Sequence, residues 1–132
     1  MKYFLLAFTL VIGFIGTAQT SKKVCFIGNS YTYSNDLPGL IASMATADGN
    51  ILIKDQSTPG GHKFYDHTIN GTSLMKISAD TWDYVVLQDQ SQYPSFPWSQ
   101  VQTDVLPYAE ILVDSIRSAN DCAVPLFFNT CV

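Results

Sequence analysis

Four short apolar runs, at 24–28, 50–55, 84–88 and 123–128, are separated by longer amphipathic stretches, and this alternation sharply restricts what the chain can build. The runs are nearly continuous in apolar character instead of alternating with polar residues. That is the pattern of strands buried on both faces, which parallel sheets covered by helices produce. Between the first two runs, 37–47 reads as a helix with Asn35 or Asp36 as its cap and Pro38 in its first turn. Between the last two, Val101, Val105, Tyr108, Leu112, Val113 and Ile116 recur near helical spacing and predict one helix over 98–118, with Pro107 as a point of kinking or delay. The stretch between the second and third strands reads as irregular. The expected fold is a three-layer α/β/α sandwich around a parallel sheet.

The amino terminus reads separately. Met1-Lys2 precedes an uncharged apolar stretch from Tyr3 to about Gly16, then Thr17-Ala18-Gln19 and a polar segment with Lys22-Lys23. The run is shorter than the roughly 20 residues of a spanning helix, and the small residues at 16 and 18 suit signal-peptidase cleavage after Ala18. The expectation is a signal peptide over 1–18 and one domain over 19–132. The mature protein is then exported, to the periplasm or beyond, with no membrane attachment after cleavage. Seven Lys and Arg in a net charge of −4 leave no basic stripe for phosphates, which argues against nucleic acid as a partner. Cys25, Cys122 and Cys131 are too few for a disulfide scaffold and read mostly as small core residues, with a Cys122–Cys131 bridge as the one alternative.

Chemistry concentrates where strands end. In open parallel sheets, ligands bind outside the carboxyl ends of the strands, where loops converge and helix N-termini point inward. Gly28-Asn29-Ser30 follows the first strand, Gly60-Gly61 the second, and Gln88-Asp89-Gln90-Ser91-Gln92 the third. Ser30 is the candidate nucleophile. Backbone amides at Ser30 and Gly61 are candidate oxyanion donors, with Gly60 as the alternative, since a tetrahedral oxyanion needs donors fixed in advance. Read blandly, the three blocks are a polar turn, a flexible turn and a solvated loop.

The order of these blocks resembles the SGNH, or GDSL-like, hydrolase superfamily. In that family a serine in a Gly-Asp-Ser or Gly-Asn-Ser block follows the first strand, a glycine follows the second, and an asparagine after the third completes the oxyanion hole. Val24 to Leu37 matches the first block, Thr58-Pro59-Gly60-Gly61 the second, and Val85-Val86-Leu87-Gln88-Asp89-Gln90 stands in the place of the third. The third departs from the common Gly-x-Asn-Asp pattern: Gln88 takes the glycine position and Gln90 that of the asparagine. It resembles a Leu-Gln-x-Gln-Ser branch of exported bacterial proteins. The resemblance implies a flavodoxin-like sheet and a serine esterase acting on a small-molecule or glycan ester, deacetylation of a glycan among the options. It further implies an oxyanion hole of Ser30, Gly61 and Gln90 supported by Asn29 and Gln88, and no cofactor or metal.

In the family the base is a histidine in a late Asp-x-x-His block, which the sequence to Val132 does not contain. The expectation is an N-terminal portion interrupted after the fourth strand, barely active as it stands. His62 reads as a loop-lining residue and His67 as a surface or capping one; their spacing is not that of metal ligands on one helix face. Tyr31, Tyr33, Tyr93, Phe96 and Trp98 flank the loops, either to stack on sugar rings or to anchor the loops. Two other functions are open at this point: a non-catalytic glycan-binding relic, and a flavodoxin-like module in which Asn29, Ser30, Thr32 and Ser34 hold a phosphate or nucleotide.

Overall fold

The computed structural model describes residues 18–130. The proposed signal peptide, except Ala18, and Cys131 lie outside them. Four strands, β1 (Ser21–Ile27), β2 (Ile51–Ser57), β3 (Tyr84–Leu87) and β4 (Val124–Phe127), form one sheet in the order β2-β1-β3-β4. All three pairings are parallel. With helices on both faces, this is the three-layer α/β arrangement and the strand order of flavodoxin-like sheets.

The helices are α1 (Ser30–Tyr33), α2 (Leu37–Ala47), α3 (Phe64–Ile69), α4 (Gly71–Ser78), α5 (Trp98–Asp104) and α6 (Leu106–Ala119), with a 3-10 turn at Tyr93–Ser95. The stretch expected to be irregular therefore holds α3 and α4. Asn70 makes the break between them by capping α4, its Oδ1 accepting from the backbone N–H of Thr72 and Ser73. The helix expected over 98–118 is two: Val105 leaves helical geometry at φ −121°, ψ −59°, and Pro107 sits in the first turn of α6, where its missing N–H is harmless. Asp36, not Asn35, caps α2. It adopts the left-handed conformation (φ 46°) and its side chain accepts from Gly39 N.

One face of the sheet carries the main core. Cys25, Ile27, Val85 and Leu87 pack with Phe64 of α3, Ile77 of α4, and Val101, Val105, Ala109, Leu112 and Ile116 of α5 and α6. On the opposite face α2 lays Leu37 and Ile41 near Phe26 and Val86. Cys25 is a core residue as expected, whereas Cys122 is exposed in the turn before β4. Among the described residues no helix is long and apolar enough to cross a membrane.

Candidate functional site

β1 is central, and the chain leaves it toward β2 on one side and later returns to β3 on the other. The loops after β1 and β3 thus separate at the sheet's reversal point, where α/β sheets hold ligands. The segments bearing Ser30 and Gln90 flank that point.

Asn29 joins the three strand-end loops. It is 2% exposed and caps α1, its Oδ1 accepting from Tyr31 N at 3.2 Å. Its Nδ2 donates to the carbonyl of His62 at 2.8 Å, beside Gly61, and to the carbonyl of Asp89 at 3.3 Å, beside Gln90. A single buried side chain therefore sets the β2 and β3 loops against the turn that presents Ser30.

Gln88 supports the same turn from beneath. It is fully buried, which overturns a solvated-loop reading at this position. Its Oε1 accepts from Asn29 N and from Thr32 Oγ1, each at 3.0 Å, and its Nε2 donates to the Asp89 carbonyl. With both ends of its amide engaged inside the protein, Gln88 positions the turn and does not face the crevice. Gly28 is required above it: a Cβ there would stand 2.6 Å from Thr32 Oγ1 and 2.8 Å from Gln88 Oε1.

The three expected oxyanion donors are unoccupied. Among the described residues no hydrogen bond engages the backbone N–H of Ser30 or of Gly61, or the side-chain Nε2 of Gln90, whose Oε1 accepts from Gln92 N. Of the two glycines, Gly61 is the one in the left-handed region, at φ 73°, while Gly60 is exposed with room for a side chain. The remaining amides of α1 are spent: Asn29 takes the N–H of Tyr31 through its side chain, and those of Thr32 and Tyr33 through its carbonyl. Ser30 itself is half-buried, beside an open hollow lined by Tyr31, Ser34 and Asn35.

His67 departs from expectation. It is completely buried, not a surface or capping residue. Its Nε2 lies 3.0 Å from the Gly28 carbonyl, which only accepts, so Nε2 carries the proton. Nδ1 then accepts from Ser73 Oγ at 2.7 Å, and Ser73 Oγ in turn accepts from Ser57 Oγ at 2.9 Å. This directed chain ties the end of β2 through α4 and α3 to the turn before Ser30. The periodicity of 64–78 is too short to reveal it, and the only sequence signal is a histidine within an otherwise helix-compatible segment. His62 is partly buried, its ring 5.3 Å from that of His67 and its Nε2 3.3 Å from Asn70 Nδ2. Neither histidine hydrogen-bonds Ser30, and the described residues contain no cluster of three or more metal-ligating side chains.

Burial, with help from the nearby His62, pushes His67 down to about 4 from an ordinary value of 6.5. The unfolded chain therefore takes up this proton more readily than the native one. Stability is fully present above pH ~6.5 and declines by about 3 kcal/mol in total as pH falls to 4. Urea unfolding at pH 7 and pH 4 is expected to show that decline, and His67→Gln to remove roughly one proton's worth of its slope. An unchanged slope in the variant would exclude His67 as the titrating group.

The aromatic residues divide. Tyr93 and Phe96 meet with tilted rings, centroids 5.1 Å apart, and pack against the core, with Lys63 Nζ donating to the Tyr93 hydroxyl at 3.1 Å. Tyr31, Tyr33 and Trp98 are exposed. Comparison with protein-family models, with curated proteins and with solved structures finds no match.

Proposed function

We propose that this chain bears the nucleophile of an exported serine ester hydrolase of the SGNH type. The observation that carries the reading is the Asn29 junction, which gathers the three strand-end loops around Ser30 while the amides of Ser30, Gly61 and Gln90 stay unengaged. Ser30 Oγ attacks the acyl carbonyl. The oxyanion that develops is received by those three donors, fixed before the reaction begins. The helix-end amides that a phosphate would need are already bonded to Asn29, which favours this reading over a nucleotide-binding module.

The base falls to a residue other than the two described histidines, since His67 is held by Gly28 and Ser73 and His62 lies beside Asn70. That same observation favours a second reading, a glycan-binding protein without turnover, in which exposed Tyr31 and Tyr33 stack on sugar rings. Sequencing the gene past codon 132 and treating the full product with a fluorophosphonate separates the two. An open frame supplying an Asp-x-x-His block, with the label mapped to Ser30, is the expected result. A stop codon, or a label absent from Ser30, would overturn the hydrolase and favour binding of acetylated polysaccharide.

A further inference from the structure

At the end of β1 the hydrogen bonds close into a ring. Gly28 N donates to the carbonyl of Ser57, the last residue of β2, at 3.1 Å. From the Ser57 hydroxyl, donation runs through Ser73 Oγ on α4 to His67 Nδ1 on α3, and His67 Nε2 returns it to the Gly28 carbonyl at 3.0 Å. One fact fixes the direction: a carbonyl only accepts, so the proton of neutral His67 sits on Nε2 and each hydroxyl turns accordingly. Ser73 and His67 are fully buried and Ser57 nearly so. Buried polar groups are costly when unpaired, and a fully engaged network of them is rigid. The ring also acts on a particular bond. The Gly28 carbonyl and the Asn29 N–H are the two ends of one peptide unit, and Gln88 Oε1 holds the second end, also at 3.0 Å. His67 from α3 and Gln88 from the loop after β3 therefore grip that unit from opposite sides, and it cannot rotate without breaking a buried hydrogen bond. Ser30 is the next residue.

We propose that His67 is a positioning residue for Ser30: its Nε2–H, kept on that nitrogen by Ser73 and Ser57, locks the peptide from which the nucleophile is presented. The inference rests on Ser30 being that nucleophile. Ser73 makes the lock specific to one tautomer. Without its hydroxyl no donor holds Nδ1, and a proton moved there would turn the lone pair of Nε2 toward the Gly28 carbonyl, acceptor against acceptor. The peptide would then lose its grip at one end while Gln88 kept the other. A reacting group displaced by about 1 Å can cost about a hundredfold in rate, so a loosened turn is read in the chemical step and not in substrate binding.

The test uses the full-length protein, p-nitrophenyl acetate as substrate and a fluorophosphonate as label. The ring-nitrogen NMR signals of wild-type His67 are expected to report the Nε2–H tautomer, and those of Ser73→Ala a mixture. His67→Leu, which keeps bulk without a donor, and Ser73→Ala are each expected to lower kcat and the rate of labelling at Ser30 by about ten- to a hundredfold, with KM nearly unchanged. His67→Gln, which returns a donor toward Gly28, is expected to recover part of kcat. A role in stability alone would lower the melting temperatures and leave kcat of the folded variants at the wild-type value, and that result would overturn the proposal. So would a wild-type proton on Nδ1, a reading that stands whether or not the variants fold. Wild-type protein left unlabelled at Ser30 would overturn the nucleophile itself, and the positioning role with it.

Discussion

Alanine at position 30 is expected to remove fluorophosphonate labelling and to lower ester hydrolysis by the full-length protein by about a thousandfold or more, while the melting temperature stays nearly unchanged. The size of the loss follows from the role of a nucleophile: without it, only binding and oxyanion stabilisation remain. The unchanged stability follows from the structure. Ser30 Oγ is half-buried and makes no hydrogen bond among the described residues, so its removal orphans nothing. Labelling of Ser30→Ala at the wild-type rate would refute the assignment of the nucleophile. A variant that unfolded would contradict the local geometry instead.

Asn29→Ala is expected to act in the opposite proportion, with a loss of about 4 kcal/mol in stability and of hydrolysis as well. Three side-chain hydrogen bonds go at once, leaving the His62 carbonyl and the Tyr31 amide without a partner and the Asp89 carbonyl with Gln88 Nε2 alone. Each orphaned buried group costs about 1–3 kcal/mol, and loss of a helix cap alone about 1. Asn29→Ser separates the two roles. Its hydroxyl still caps α1 but falls short of the two loop carbonyls, so urea denaturation should recover about 1 kcal/mol, with the catalytic defect remaining. If Asn29→Ser restored activity fully, the joining of the loops would not matter to the reaction.

The strands were legible because burial on both faces writes an unbroken apolar run, and 24–28 and 84–88 each matched a strand of the sheet to within three residues at either end. The α2 cap was legible to within one residue, Asn35 or Asp36, because capping chemistry is local. What the sequence concealed depends on contacts far along the chain. Helices α3 and α4 span only Phe64–Ile69 and Gly71–Ser78, too short for a 3.6-residue period to declare itself. His67 looked like a surface residue because nothing near it in sequence shows that Ser73 and Gly28 will enclose it. The sequence offers Gln88 and Asn29 as supporting candidates at the strand ends, but their division of labour rests on partners some sixty positions away, as with Asn29 and Asp89.

The central position of β1 also bears on how the sheet closes. Its two neighbours come from distant parts of the chain: Ser21 pairs with Ile51, and Val24 with Tyr84. Each pairing closes a long loop before any contact rewards it, and such non-local topologies fold slowly, on the order of milliseconds to seconds. Until β3 has been synthesised and docked, the apolar 24–27 segment has only one flank covered. That open flank is an unpaired strand edge, which other chains can add to, so the slow arrival of β3 makes the interval before docking the one in which this chain is most exposed to aggregation.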